Sequence, residues 1–196
     1  ITGQYSPAGL FGIVEEQGSI ESLSVRGVVS VSDSADTTTG GIVGINHGTL
    51  INCQFTGVVT GDSEVGGIVG RNESEGTIDH GTARAIVTGK SSTGGIAGYN
   101  LGAITGCTNV GSINTEYPEA SLDTDGFTAK MVDYINNKMA AADNDATNSV
   151  TNVATDTGGI AGRSSGMILT SVNTGTIGYE HVGYNVGGIV GRTDGL

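Results

Sequence analysis

One short motif constrains this chain more than any other feature. Gly40-Gly41-Ile42-Val43-Gly44 returns as Gly66-Gly67-Ile68-Val69-Gly70 and as Gly94-Gly95-Ile96-Ala97-Gly98. It returns again as Gly158-Gly159-Ile160-Ala161-Gly162 and Gly187-Gly188-Ile189-Val190-Gly191, after a degenerate first copy, Ala8-Gly9-Leu10-Phe11-Gly12. The five full copies are spaced by 26, 28, 64 and 29 residues. The one long spacing marks an insertion into an otherwise regular array. A unit this small cannot bury its own apolar face, so it must stack on its neighbours.

Two further apolar positions recur in each unit. A Gly-x-aliphatic step carries Ile20, Leu50, Ile78, Ile104 and Ile168, and nine residues later stand Val29, Val59, Val87, Ile113 and Ile177. Each segment is bounded by Gly, Asn, Asp or Ser, which reads as three short strands joined by turns. The aliphatic residues are mostly Ile and Val, whose branched side chains suit a pleated surface. Coaxial stacking then predicts an all-β chain: a parallel β-solenoid (a right-handed β-helix, three short strands per coil) with equivalent residues about 4.8 Å apart in ladders. One ladder is Leu10, Ile42, Ile68, Ile96, Ile160 and Ile189; the other two are the series just named. The 35 glycines are expected to supply positive-φ turns and close backbone approaches. A propeller blade would need about forty residues and four strands. The chain is read as one solenoid domain, residues 1–196, interrupted over 115–156. There Phe127, Met131, Ile135 and Met139 recur at helical spacing, with Asp125 or Thr128 as caps, which predicts one inserted α-helix on the solenoid flank.

The motif resembles the GLUG repeat, whose copies run Gly-Gly-aliphatic-aliphatic-Gly-x-Asn-x-Gly-x-Ile. Asn46, Asn72 and Asn100 stand at the Asn position, with Ser164 and Thr193 there in later copies. The resemblance spans the chain outside the insertion. It implies a large secreted or wall-attached bacterial protein, adhesin-like or the non-catalytic part of a protease.

The residues themselves offer little chemistry. His47, His80 and His181 occupy different repeat positions and form no column, and no His-Glu-x-x-His motif occurs. Asp143-x-Asp145 begins like a calcium loop but has Asn148 and Ala154 where Gly and Glu belong. The Gly-rich segments lead into strands, whereas phosphate-binding loops lead into helices. Asp33, Asp36, Asp62 and Glu64 fall in equivalent turns and could line an acidic edge, with Arg84 as the nearby base of a lyase-like site. Thr49 and Thr77 align, but Ser19, Ala103 and Met167 break the threonine array that ice binding would need. No catalytic, cofactor-binding or metal residue is therefore assigned, and the chain is expected not to be an enzyme.

A formal net charge of −12 argues against nucleic acid and anionic membrane surfaces as partners. No apolar run approaches the ~20 residues of a membrane span, and no leader is visible, so Ile1 reads as an internal start. The array stops within a repeat at Leu196, which suggests a fragment, expected to be monomeric. Cys53 and Cys107 share a repeat position two coils apart, too far for a disulfide, and are expected to remain free thiols. The expected function is a non-catalytic extracellular module, a stalk or adhesin segment of a bacterial cell-surface protein held to the cell through other regions. Its partner would be a host or microbial glycan or protein. The alternative is a carbohydrate-active β-helix that binds or cleaves an acidic polysaccharide.

Overall fold

A computed structural model describes residues 1–4, 6–31, 37–115, 155–178 and 185–194. These residues form an all-β parallel solenoid of five coils, flanked by a partial turn at each end. The coil from Thr38 to Thr60 shows the pattern: strands Thr38–Gly40, Val43–Asn46, Thr49–Ile51 and Gln54–Thr60. Each pairs in parallel with its equivalent one coil away, as Val69 does with both Val43 and Ala97. The result is four sheets, one per side of the coil, here labelled B, C, D and A in chain order from Thr38.

The coil therefore has four sides where the repeat pattern suggests three strands; in the coils from Ser91 and Thr155 the sheet A side is further broken in two, as at Thr108–Asn109 and Ser112–Ile113. The spacing makes the Gly-Gly-Ile segment the lead into one strand, but it forms a corner between two: Glu64–Gly66 lies on sheet B and Val69–Asn72 on sheet C. The glycines act there through their missing Cβ. A Cβ on Gly66 would sit 1.9 Å from the Val69 carbonyl oxygen, and one on Gly95 would sit 2.4 Å from Asn109 Cγ. Neither has a positive φ. One column of left-handed positions lies at the corner between sheets D and A: Ser22, Asn52, His80, Gly106 and Thr170. Four of these five are not glycine, so the expectation that glycines supply the positive-φ turns fails at this corner.

The three aliphatic ladders fill the interior. Ile42, Ile68, Ile96 and Ile160 are fully buried, as are Leu50, Ile78 and Ile104. Each such side chain contributes roughly 1.5–3 kcal/mol on burial. Beside them runs a buried amide ladder. Asn46 Nδ2 donates to Asn72 Oδ1 at 2.8 Å, Asn72 Nδ2 to Asn100 Oδ1 at 2.9 Å, and Asn100 Nδ2 to Ser164 Oγ at 3.2 Å. The same amides close the following turn, Asn72 Nδ2 reaching the Gly76 carbonyl at 3.0 Å. A buried amide is costly unless it is paired, and here each asparagine of the ladder is paired by the next coil.

The register continues across the long spacing. Ile104 pairs with Ile168, and Asn109 with Asn173, whose side chains are joined by a 2.7 Å hydrogen bond. The strand Ser112–Ile113 precedes the interruption and Thr155–Gly158 follows it. The helix expected within 115–156 falls on residues 116–154, outside those described. Thr82 pairs with both Gln54 and Thr108, which sets Gly81 between Cys53 and Cys107. Both thiols are free and buried, as the coil count predicts. Burial pushes the Cys107 thiol pKa up to about 11.

Candidate functional site

The acidic edge is the first place to look for chemistry. Asp62 lies in the turn between sheets A and B, and Glu64 opens the next strand of sheet B. Asp33 and Asp36 lie outside the described residues. The bases that reach these carboxylates are not Arg84, which is exposed on sheet A. Lys90 Nζ sits 2.7 Å from Asp62 Oδ1, and Arg71 Nη1 sits 2.7 Å from Glu64 Oε1. Arg71 Nε also holds Glu73 Oε1 at 2.6 Å. Burial works against the Arg71 charge, but Glu64 and Glu73 outweigh it and raise its pKa. The edge is thus a set of local ion pairs between neighbouring turns and strands.

Arg71 also opens a surface ladder that the sequence reading missed. On the outer face of sheet C, Ile13, Ile45, Arg71, Tyr99, Arg163 and Arg192 follow one another coil by coil. The guanidiniums of Arg71 and Arg163, on the strands either side of Tyr99, each lie 5.0 Å from its ring centroid. Such contacts are worth about 0.5–1 kcal/mol at a surface. Tyr99 is the one described tyrosine, and its ring is flanked by these two side chains. Its hydroxyl lies 3.3 Å from Ser165 Oγ. Arg163 and Arg192 both hold Asp194, whose carboxyl pKa is lowered first by the Arg163 hydrogen bond. The spacing of 28 residues from Arg71 to Tyr99 equals that between successive Gly-Gly motifs, so this column could have been read from the repeat.

His80 is exposed at a left-handed turn, with Nδ1 2.9 Å from Asp79 Oδ1. His47 occupies the turn between sheets C and D, and His181 lies outside the described residues. Among the described residues no group of three or more His, Cys, Asp or Glu could hold a metal ion, and no helix is long and apolar enough to cross a membrane.

No family model matches the chain, and no solved structure matches it. Halomucin from Haloquadratum walsbyi is 35% identical to it over 75 residues, 38% of this chain. The matched stretch amounts to 1% of Halomucin, so the chain spans a very small part of that protein.

Proposed function

We propose that this chain is a non-catalytic repeat module, a stalk or adhesin segment, of a GLUG-type bacterial cell-surface protein. It would stand outside the cell, wound right-handed like other parallel crossovers, and be attached through regions beyond this segment. The observation that carries the reading is how the surface charges are used. Asp62, Glu64, Glu73 and Asp194 are each engaged by Lys90, Arg71, Arg163 or Arg192, and Tyr99 lies between two guanidiniums. Lys90–Asp62, Arg163–Asp194 and the two Tyr99 contacts tie neighbouring coils together, while Arg71 ties strands within one coil to Glu64 and Glu73; side chains spent on such ties serve a repeat spacer better than a reaction centre. The similarity to about a hundredth of Halomucin's length supports a unit embedded in a much longer chain. A glycan-array screen with the 196-residue chain tests the reading. Weak, unselective signals are expected; saturable binding of an acidic polysaccharide, or its cleavage, would replace the stalk with the carbohydrate-active alternative.

A further inference from the structure

Alternate residues face opposite ways along the long strands of sheet A, Ser24–Val31, Gln54–Thr60 and Thr82–Thr88. Phe55, Val59, Ala83, Ala85 and Val87 point into the solenoid and belong to its core cluster. Val28, Val58 and Ile86 therefore lie on the outer face, in one column that continues through Ser112 to Thr176. Yet Val58 is 0% exposed, and Ile86 and Ser112 are each 7% exposed. Val28, Val58 and Ile86 have no place in the inner cluster, so something outside the solenoid shields this column. Thr60 Oγ1, on the same face, is also buried, with no hydrogen-bond partner among the described residues. Among the described elements, the strands of sheet A contact chiefly one another and the strands of sheet B.

We propose that residues 116–154 pack on this outer face of sheet A, across the coils, with Phe127, Met131, Ile135 and Met139 set over the column of Val58, Ile86 and Ser112. Three observations choose this occupant.

The first is position. Ser112–Ile113, the last strand before residues 116–154, pairs with Ile86 and Val87, so the segment departs from the shielded column itself. The shielding is local. Val28 at one end of the column is half-buried, and Thr176, the rung after Ser112, is exposed. The other internal segments outside the description fit less well. Residues 179–184 follow Thr176, where the column is open, and residues 32–36 offer no apolar side chain larger than Ala35.

The second is size. Apolar residues at every fourth position of a helix stand about 6 Å apart, near the ~4.8 Å between rungs, so one stripe can serve successive coils. From Phe127 to Met139 such a stripe would extend about 18 Å, against about 14 Å from Val28 to Ser112.

The third is charge. Arg26 and Arg84 are the charged residues of the three long strands, both positive and both on the outer face, in a chain of net charge −12. Residues 116–154 carry seven Asp and Glu against two Lys. Opposite charge draws an acidic segment to this face.

Thiol labelling of the full chain tests this, each site being read by mass mapping. Ser112→Cys and Thr176→Cys are made in separate chains. Ser112→Cys is expected to label at least about tenfold more slowly than Thr176→Cys, as a site that must open first. Phe127→Asp together with Ile135→Asp should remove that protection and bring Ser112→Cys to the Thr176→Cys rate, while Cys107 in the intact solenoid stays unlabelled. Replacing residues 116–154 by a Gly-Ser linker should expose Ser112→Cys in the same way, so the result does not hang on how the Asp variant folds. Equal labelling of Ser112→Cys and Thr176→Cys in the chain with its segment unaltered would overturn the proposal. So would protection that survives both changes to the segment, and protection lost on dilution would show that a second copy covers the face instead.

Discussion

Asn72→Asp replaces one nitrogen by oxygen at the centre of the amide ladder. Asn72 is fully buried, its Oδ1 accepting from Asn46 and its Nδ2 donating to Asn100 Oδ1 and the Gly76 carbonyl. An ionised carboxylate there would face two acceptors about 3 Å away, in a fully buried site. The side chain must therefore take up a proton to fold. Protonating a carboxyl of ordinary pKa ~3.9 costs about 4 kcal/mol at pH 7 and about 1.5 kcal/mol at pH 5. The neutral acid has one donor for two acceptors, which adds about 1 kcal/mol for the lost hydrogen bond. The sign follows from the raised folded-state pKa: the proton-linked loss is absent below the unfolded pKa and grows as pH rises toward the folded one. Urea unfolding of dilute protein should thus show Asn72→Asp destabilised by about 5 kcal/mol at pH 7 and about 2.5 kcal/mol at pH 5. A loss under about 1 kcal/mol, or one equal at both pH values, would mean that Asn72 does not bridge its neighbours inside the coil.

Other perturbations probe other parts of the same stack. Ile68→Asp or Ile96→Asp places an unpaired carboxylate in the aliphatic ladder and should cost several kcal/mol; unchanged thermal melts would put those positions on the surface. Thiol titration under denaturing, non-reducing conditions should find two reactive thiols per chain, and an intramolecular bridge would break the coil count. Because burial raises the Cys107 pKa from 9.0 to about 11, its contribution is complete below pH 9 and lost as pH rises to 11. Over that window the unaltered chain should lose about 2–3 kcal/mol more than Cys107→Ala, and parallel pH profiles would contradict the burial. Thr170 holds φ 47°, costly for a β-branched residue, so Thr170→Asn should raise stability by about 1 kcal/mol; a lowered melting temperature would show that the turn depends on the threonine.

Much of this fold is legible in the sequence because the repeat makes each observation five times over. Aliphatic residues at constant spacing identify the buried rungs, and the same count carries the register from Ile104 to Ile168 and sets Cys53 and Cys107 two coils apart. What resists reading is whatever a Gly-Gly pair can do in two ways. A corner and a strand start have the same composition, so Gly66-Gly67 concealed the division between sheets B and C. The reason for glycine was likewise hidden, because a missing Cβ and a positive φ select the same residue. Asn46, Asn72 and Asn100 were visible as a motif, but their bonding depends on which way the turn faces. The partners of Asp62 and Glu64 could not be found by column, since Lys90 and Arg71 reach them from different strands and turns.

The fold depends on the coils stacking in register across the long spacing. The most direct measurement is disulfide formation between Thr108→Cys and Val172→Cys. These residues are paired partners on sheet A, 64 positions apart in the sequence, and Val172 is exposed to oxidant. Paired strands place their Cα atoms about 4.8 Å apart, within bridging range. Mild oxidation of the folded double variant should yield one intramolecular bridge between the new cysteines, found by mass mapping, with Cys53 and Cys107 still free. Thr108→Cys with Thr174→Cys, two residues out of register, should yield none. Failure of the first pair to bridge, or equal bridging by the second, would contradict the stacking.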